Sequence, residues 1–118
     1  MGHFPEILMD HFNSPRNTGK LESPDRVGLA GNPAHGPFMV LCLRVRNDLV
    51  VEAKYQTHGC GVTIACGSML TEMITKRSLE ECRAITAERL SDELGGVPAD
   101  KAHSPVLAVA ALMNALDG

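Results

Sequence analysis

Apolar residues recur along this chain in two rhythms, and the places where one rhythm gives way to the other mark out the elements. Phe4, Ile7, Leu8 and Phe12 are spaced as on one side of a helix, with Pro5 suited to its first turn. That helix is expected to stop near Asn13-Ser14-Pro15, because the residue before a proline resists the helical region. Between Pro15 and Gly36 the composition turns to Pro, Gly, Asn and Asp, which predicts a long loop or a short irregular strand around Val27 to Ala30. The rhythm of two then takes over. Phe38 to Arg46 reads as a strand with Met39, Leu41, Leu43 and Val45 on one face. Asn47-Asp48 supplies a hairpin turn, and Val50 to Thr57 follows as an antiparallel partner whose inner face is Val51, Ala53 and Tyr55.

After His58-Gly59-Cys60-Gly61 the pattern becomes helical again. Ile64 through Ile74 is apolar on most sides, as expected of a helix in the middle of the molecule. Ser78-Leu79-Glu80-Glu81 has the spacing of a capping box and opens a short helix to about Ile85. Another short helix, near Ala87 to Leu94, is stopped by Gly95-Gly96. The last helix is expected to start at Ser104-Pro105, an N-cap followed by proline, with an apolar stripe of Val106, Val109, Ala110, Met113 and Leu116. The sum is an α+β chain: a small antiparallel sheet of about three strands packed with N-terminal, central and C-terminal helices in a single domain over 1–118.

Composition narrows the functions. With three Phe, one Tyr and no Trp there is no platform on which bases could stack, and a net charge of −3 with scattered cations suits no phosphate backbone. Nucleic acid is not an expected partner, nor is a membrane, since the longest apolar run, Val106 to Met113, is far short of a span. The first residues carry neither a basic leader nor an apolar stretch of signal length, so the expected compartment is the cytoplasm, and four cysteines read as reduced thiols. No hydrolase triad, phosphate loop or paired-carboxylate site stands out, so the chain is not expected to be an ordinary enzyme.

Four stretches carry a resemblance. His11-Phe12-Asn13-Ser14-Pro15-Arg16-Asn17-Thr18-Gly19 is similar to the His-Phe-x-x-Pro-Arg-Asn-x-Gly signature of the IscU/NifU-type iron–sulfur cluster assembly scaffolds. Gly31 to Gly36, then Gly59-Cys60-Gly61 with Ile64-Ala65, then Lys101-Ala102-His103-Ser104 resemble, in order, the family's three cysteine-bearing segments. The departures fall on the chemistry: His35 stands at the first cysteine position and Ser104 at the third, and Pro37 replaces an aspartate. The chaperone-recognition segment is altered to Gly96-Val97-Pro98-Ala99-Asp100-Lys101. The resemblance implies that the tips carrying these residues converge, gathering His35, Cys60 and His103 with His58 as a fourth. It also implies work alongside a cysteine desulfurase and other iron–sulfur assembly proteins.

Two imidazoles and one thiolate suit zinc or ferrous iron with a fourth position open, and suit a two-iron cluster less well. The alternatives are a mononuclear site, or a weak cluster site shared between subunits of an oligomer. Cys60 has an argument of its own: Gly59 and Gly61 leave it accessible, and it precedes a helix N-terminus whose dipole favours thiolate. The resemblance then implies that it accepts sulfur from a cysteine desulfurase as well as serving as a ligand. Cys42 and Cys82 read as small core residues, while Cys66 is either core or a further ligand. His11 reads as a residue that fixes helix packing. The competing functions are a scaffold or carrier with altered ligation, a degenerate paralogue that binds the desulfurase or a true scaffold without metal, and a zinc-dependent sulfur-transfer accessory.

Overall fold

A computed structural model describes residues 4–117. Helix α1, Glu6–Asn13, comes first, followed by a long loop and three strands: β1, Arg26–Gly31, β2, Phe38–Arg46, and β3, Leu49–His58. Helix α2, Gly61–Ile74, leads to the short helices α3, Leu79–Arg83, and α4, Ala87–Glu93. A 3-10 turn at Ala99–Lys101 then runs into the last helix, α5, His103–Asp117. The strands form one antiparallel sheet in the order β1-β2-β3, with the helices over one face. This is the α+β arrangement expected, with β1 a regular six-residue strand rather than an irregular one. No helix among the described residues is long and apolar enough to cross a membrane.

The β2–β3 hairpin turns where the residue chemistry says it should. Asn47 and Asp48 both take positive φ, 52° and 61°, as a two-residue turn with the twist of the flanking strands demands. Beyond the turn the register slips: Val45 faces Val50 while Arg44 faces Glu52, so Val51 is an extra, unpaired residue. The bulge exchanges the two faces, leaving Val50 buried and Val51 exposed, the reverse of what strict alternation predicts. Ala53 and Tyr55 lie inward as expected.

Helix α2 is buried along most of its length, between the sheet and α1, α4 and α5. It starts at Gly61, three residues before the apolar run, because Cys60 already holds an extended backbone and caps it. Leu70, Ile74, Leu112, Met39, Leu41 and Leu43 are fully buried between helices and sheet. Each buried side chain of this size stabilises by about 1.5–3 kcal/mol relative to exposure. The capping box of α3 is present, with Ser78 Oγ accepting from Glu81 N–H and Glu81 Oε1 accepting from Ser78 N–H, both at 3.0 Å.

Two expectations about helix faces need correction. On α1 the buried side chains are Leu8 and His11, while Ile7 and Phe12, and Phe4 ahead of the helix, remain exposed. On α5 the buried positions are Ser104, Pro105, Ala108, Ala111, Leu112, Ala115 and Leu116, with Val106 exposed. The stripe is turned because α5 rests on β1 at Gly28, where a Cβ would run into the backbone of Ala111 and Ala115. Small residues face that contact, and the larger valines are displaced to its margins.

Candidate cysteine site

The β2–β3 register, Phe38 opposite His58, puts the loop carrying His35 and the turn carrying Cys60 at the same end of the sheet. The N-terminus of α5 reaches that end too, since Ser104 Oγ lies 3.9 Å from Cys60 Sγ. Cys60 is partly exposed and forms the N-cap of α2, so the positive end of the helix dipole faces its sulfur. Two hydroxyls stand behind it. Thr63 Oγ1 is 3.6 Å from Sγ, and Thr63 and Ser104 hydrogen-bond to each other at 2.9 Å, both fully buried.

Burial by itself pushes the Cys60 thiol up. The Thr63 hydroxyl, the Thr63 and Val62 backbone N–H groups and the Ser104 hydroxyl outweigh that, and the thiol ends below its ordinary value. The sulfur closes no cap hydrogen bond to the α2 backbone, so the N–H groups act as oriented dipoles beside it. The two other core thiols on the helices go the opposite way: burial first, then the charge of Cys60, pushes Cys66 up to about 12, and burial pushes Cys82 up to about 11. Cys42 is buried in the sheet. Cys60 is the one free cysteine that is not buried, and its surroundings favour thiolate, as expected of a nucleophilic or metal-binding thiol.

Thr63 escaped the reading of the chain. Its signal is the spacing: three residues past an N-cap, a side chain turns back over the cap, the same geometry as the capping box. The place of Ser104 also differs from expectation. The 3-10 turn runs directly into α5, the helix begins at His103, and Ser104 sits inside the first turn. Its hydroxyl bonds Thr63 across to α2, and Pro105 is still early enough for its missing N–H to go unneeded.

The other residues gather at the same end without meeting at a point. His35 lies on the exposed turn between β1 and β2, whose backbone is held by an N–H to the Asn32 carbonyl at 3.0 Å. The His58 ring stacks on Phe38, centroids 6.1 Å apart. His103 is exposed at the first residue of α5. Among the described residues, no three His, Cys, Asp or Glu side chains stand together as a metal-holding group.

His11 lies outside this end. Ser68 Oγ accepts the Arg16 N–H at 2.9 Å, which leaves its own hydrogen for His11 Nδ1 at 2.6 Å; His11 Nε2 faces Glu72 at 3.4 Å. Asn17, with φ of 62°, bonds Thr71 through its side chain, accepts from Tyr55 N–H and is followed by Gly19 N–H to the Tyr55 carbonyl. The His11–Gly19 stretch thus ties α1 and its loop to α2 and the open edge of β3.

An α+β fold that displays one thiol where the end of a strand meets a helix N-terminus defines the class. The chain belongs to the NifU-like N terminal domain family, whose model matches residues 4–118. It is 40% identical over 113 residues to the iron–sulfur cluster assembly scaffold protein IscU 1 of Archaeoglobus fulgidus, covering 96% of this chain and 74% of that one. It is 35% identical over 117 residues to IscU of Escherichia coli strain K12, covering 96% and 91%. Two solved structures share the fold at a TM-score of 0.75. One is a proposed SUF-system iron–sulfur assembly scaffold from Fervidobacterium islandicum, with 21% identity and 96% of both chains covered. The other is a NifU-like N-terminal protein from Brucella abortus, with 17% identity and coverage of 95% and 90%.

Proposed function

We propose that this chain serves iron–sulfur cluster assembly as a scaffold-like carrier rather than as an enzyme, taking up sulfur at Cys60. The observation that carries the reading is the setting of that thiol: partly exposed, at a helix N-cap, backed by the Thr63 and Ser104 hydroxyls. Relatives covering 96% of the chain are named scaffold proteins, which supports the process. Iron, an iron–sulfur cluster or zinc is then cargo, held by Cys60 with His35 and His103, and His58 as a fourth ligand. A thiolate with imidazoles is a chemically sound set for iron or zinc. Assembling it requires the exposed His35 turn and the His103 side chain to close on Cys60, or a second copy of the chain to supply ligands. The expected partners are a cysteine desulfurase and other iron–sulfur assembly proteins, in the cytoplasm.

A second reading is favoured by one observation, the dispersal of these side chains among the described residues. It makes the protein a degenerate paralogue that binds the desulfurase or a true scaffold without holding metal. Elemental analysis separates the two, on protein as purified and after anaerobic reconstitution with ferrous iron and sulfide. Iron and sulfide in equal amounts, lost in Cys60→Ser, means a working scaffold. Zinc or iron alone, also lost in that variant, means the mononuclear site. Metal retained in Cys60→Ser sinks the ligand set, and no metal under either condition points to the paralogue that acts by binding partners.

A further inference from the structure

We propose that the cleft beside Cys60 is a subsite for a small persulfide bearing a carboxylate, held by Lys101 while its outer sulfur passes to Cys60. The proposal rests on Cys60 being a sulfur acceptor and names the class of donor. The cleft encloses about 190 Å³ and is lined by Phe4, Phe12, Cys60, Gly61, Val62 and Lys101. That is below the roughly 300 Å³ at which pockets for drug-sized molecules begin, so it suits a fragment of a few non-hydrogen atoms.

Its shape depends on Gly61. The Phe12 ring occupies the space that a Cβ at Gly61 would need, and so forms a wall of the cleft next to the thiol. Phe4 and Phe12 remain 36% and 40% exposed, apolar surface that a ligand's carbon chain would cover. Lys101 is the cation of the lining. It sits partly buried on the 3-10 turn, and no carboxylate pairs with it among the described residues. An ammonium group against a mainly apolar wall is complemented by an anion, and a carboxylate gives the charge-assisted hydrogen bond. A cysteine within a protein donor brings no carboxylate of its own, so the lysine favours a free small molecule.

The transfer balances without an oxidant. The Cys60 thiolate attacks the outer sulfur of R–S–SH, and the Sγ–S bond forms as the R–S–S bond breaks. Both electrons of the broken bond leave on R–S⁻, and the proton stays on the transferred sulfur. The products are the Cys60 persulfide and the small thiolate.

The test uses the purified chain with three small probes: cysteine persulfide and 2-carboxyethyl persulfide, which carry carboxylates, and 2-hydroxyethyl persulfide, which does not. Mass spectrometry follows sulfur on Cys60, with Cys60→Ser as the blank and circular dichroism to check each variant's fold. The carboxylate probes are expected to load Cys60 about fivefold faster than the neutral one, the ratio for an exposed charge pair worth about 1 kcal/mol. In Lys101→Met that ratio falls to about one, and Lys101→Arg retains it. Equal rates for all probes in the unaltered chain would overturn the proposal. So would a Lys101→Met variant that slows the three alike, which is the mark of a field acting on the thiol and not of a binding contact. Loading of Cys60 by all three probes at one rate removes the subsite and leaves the sulfur acceptor standing. Failure of every donor to load Cys60 removes both.

Discussion

At the scale of residues, the four cysteines divide by what surrounds their sulfur. Cys60 is expected to react with iodoacetamide at a pH below that of an ordinary thiol near 9.0, because hydroxyl and backbone N–H donors outweigh its burial. Cys66, pushed up to about 12, and Cys82, pushed up to about 11, are expected to stay unmodified until the protein unfolds. Thr63→Val keeps the side-chain shape and removes the donor first among those that lower the thiol. A pH series of alkylation rates should then show the Cys60 midpoint moving up, and an unmoved midpoint would deny the hydroxyl its part. Ser104 invites the converse change. Its Oγ lies 3.9 Å from Cys60 Sγ, so Ser104→Cys sets a second thiol beside the first. Zinc or iron bound after reconstitution should rise in that variant toward about one per chain, because softer ligands hold these metals better than a hydroxyl does. The accessible position of Cys60 ahead of a helix was legible from its flanking glycines and the helical pattern behind it. Thr63 was not, since a threonine inside an apolar run is ordinary until the helix is known to start at Gly61.

Elements were legible wherever local chemistry decides them, and misread where a neighbouring element does. The Asn47-Asp48 turn, the Ser78 cap and the Gly95-Gly96 stop all depend on backbone angles or hydrogen bonds within a few residues. Ser78→Ala should accordingly cost about 1 kcal/mol, measured by denaturant midpoint with an unchanged slope. The bulge at Val51 and the face of α5 depend on partners far along the chain. Apolar spacing on α5 allows more than one stripe, and the heavier valines favour the wrong one. The deciding residue is Gly28, on another element, whose missing side chain brings the helix backbone onto β1. Gly28→Ala forces α5 off the sheet and is expected to destabilise by about 3 kcal/mol, toward the upper end of overpacking costs. If thermal melting shows it neutral, the close approach of helix and strand is wrong.

Across the whole molecule, the N-terminal helix is joined to the rest through polar side chains as much as through apolar ones. His11 and Leu8 are the buried side chains of α1, and His11 meets Ser68 on α2 while Ser68 also holds the backbone of Arg16. The imidazole must be neutral to accept the Ser68 hydrogen at Nδ1. Its pKa in the fold is lowered from 6.5, first by burial and then by the Arg16 charge, against the raising influence of Glu72 and Asp10. Below pH 6.5 the unfolded chain therefore binds a proton that the folded chain resists, and stability rises with pH through that range. The contribution is complete above 6.5 and is lost as pH falls toward the folded value. Asp10 and Glu81 have lowered pKa values, so their contributions are present above 3.8 and 4.5 and fade only at more acid pH, which separates the two windows. Urea unfolding at steps between about pH 7.5 and 5 should show the decline, and His11→Gln should flatten it at the cost of a lower plateau. Loss of one buried hydrogen bond sets that cost at about 1–3 kcal/mol. Because Phe12, the next residue on α1, lies over Gly61 beside Cys60, the same acid range should loosen the cover of the thiol end. Hydrogen exchange at the Ser14 amide, which bonds the Asp10 carbonyl at the end of α1, reads this directly. A protection factor there that falls below pH 6.5 in the unaltered protein but not in His11→Gln would tie the helix to the histidine, and equal protection in both would cut that link.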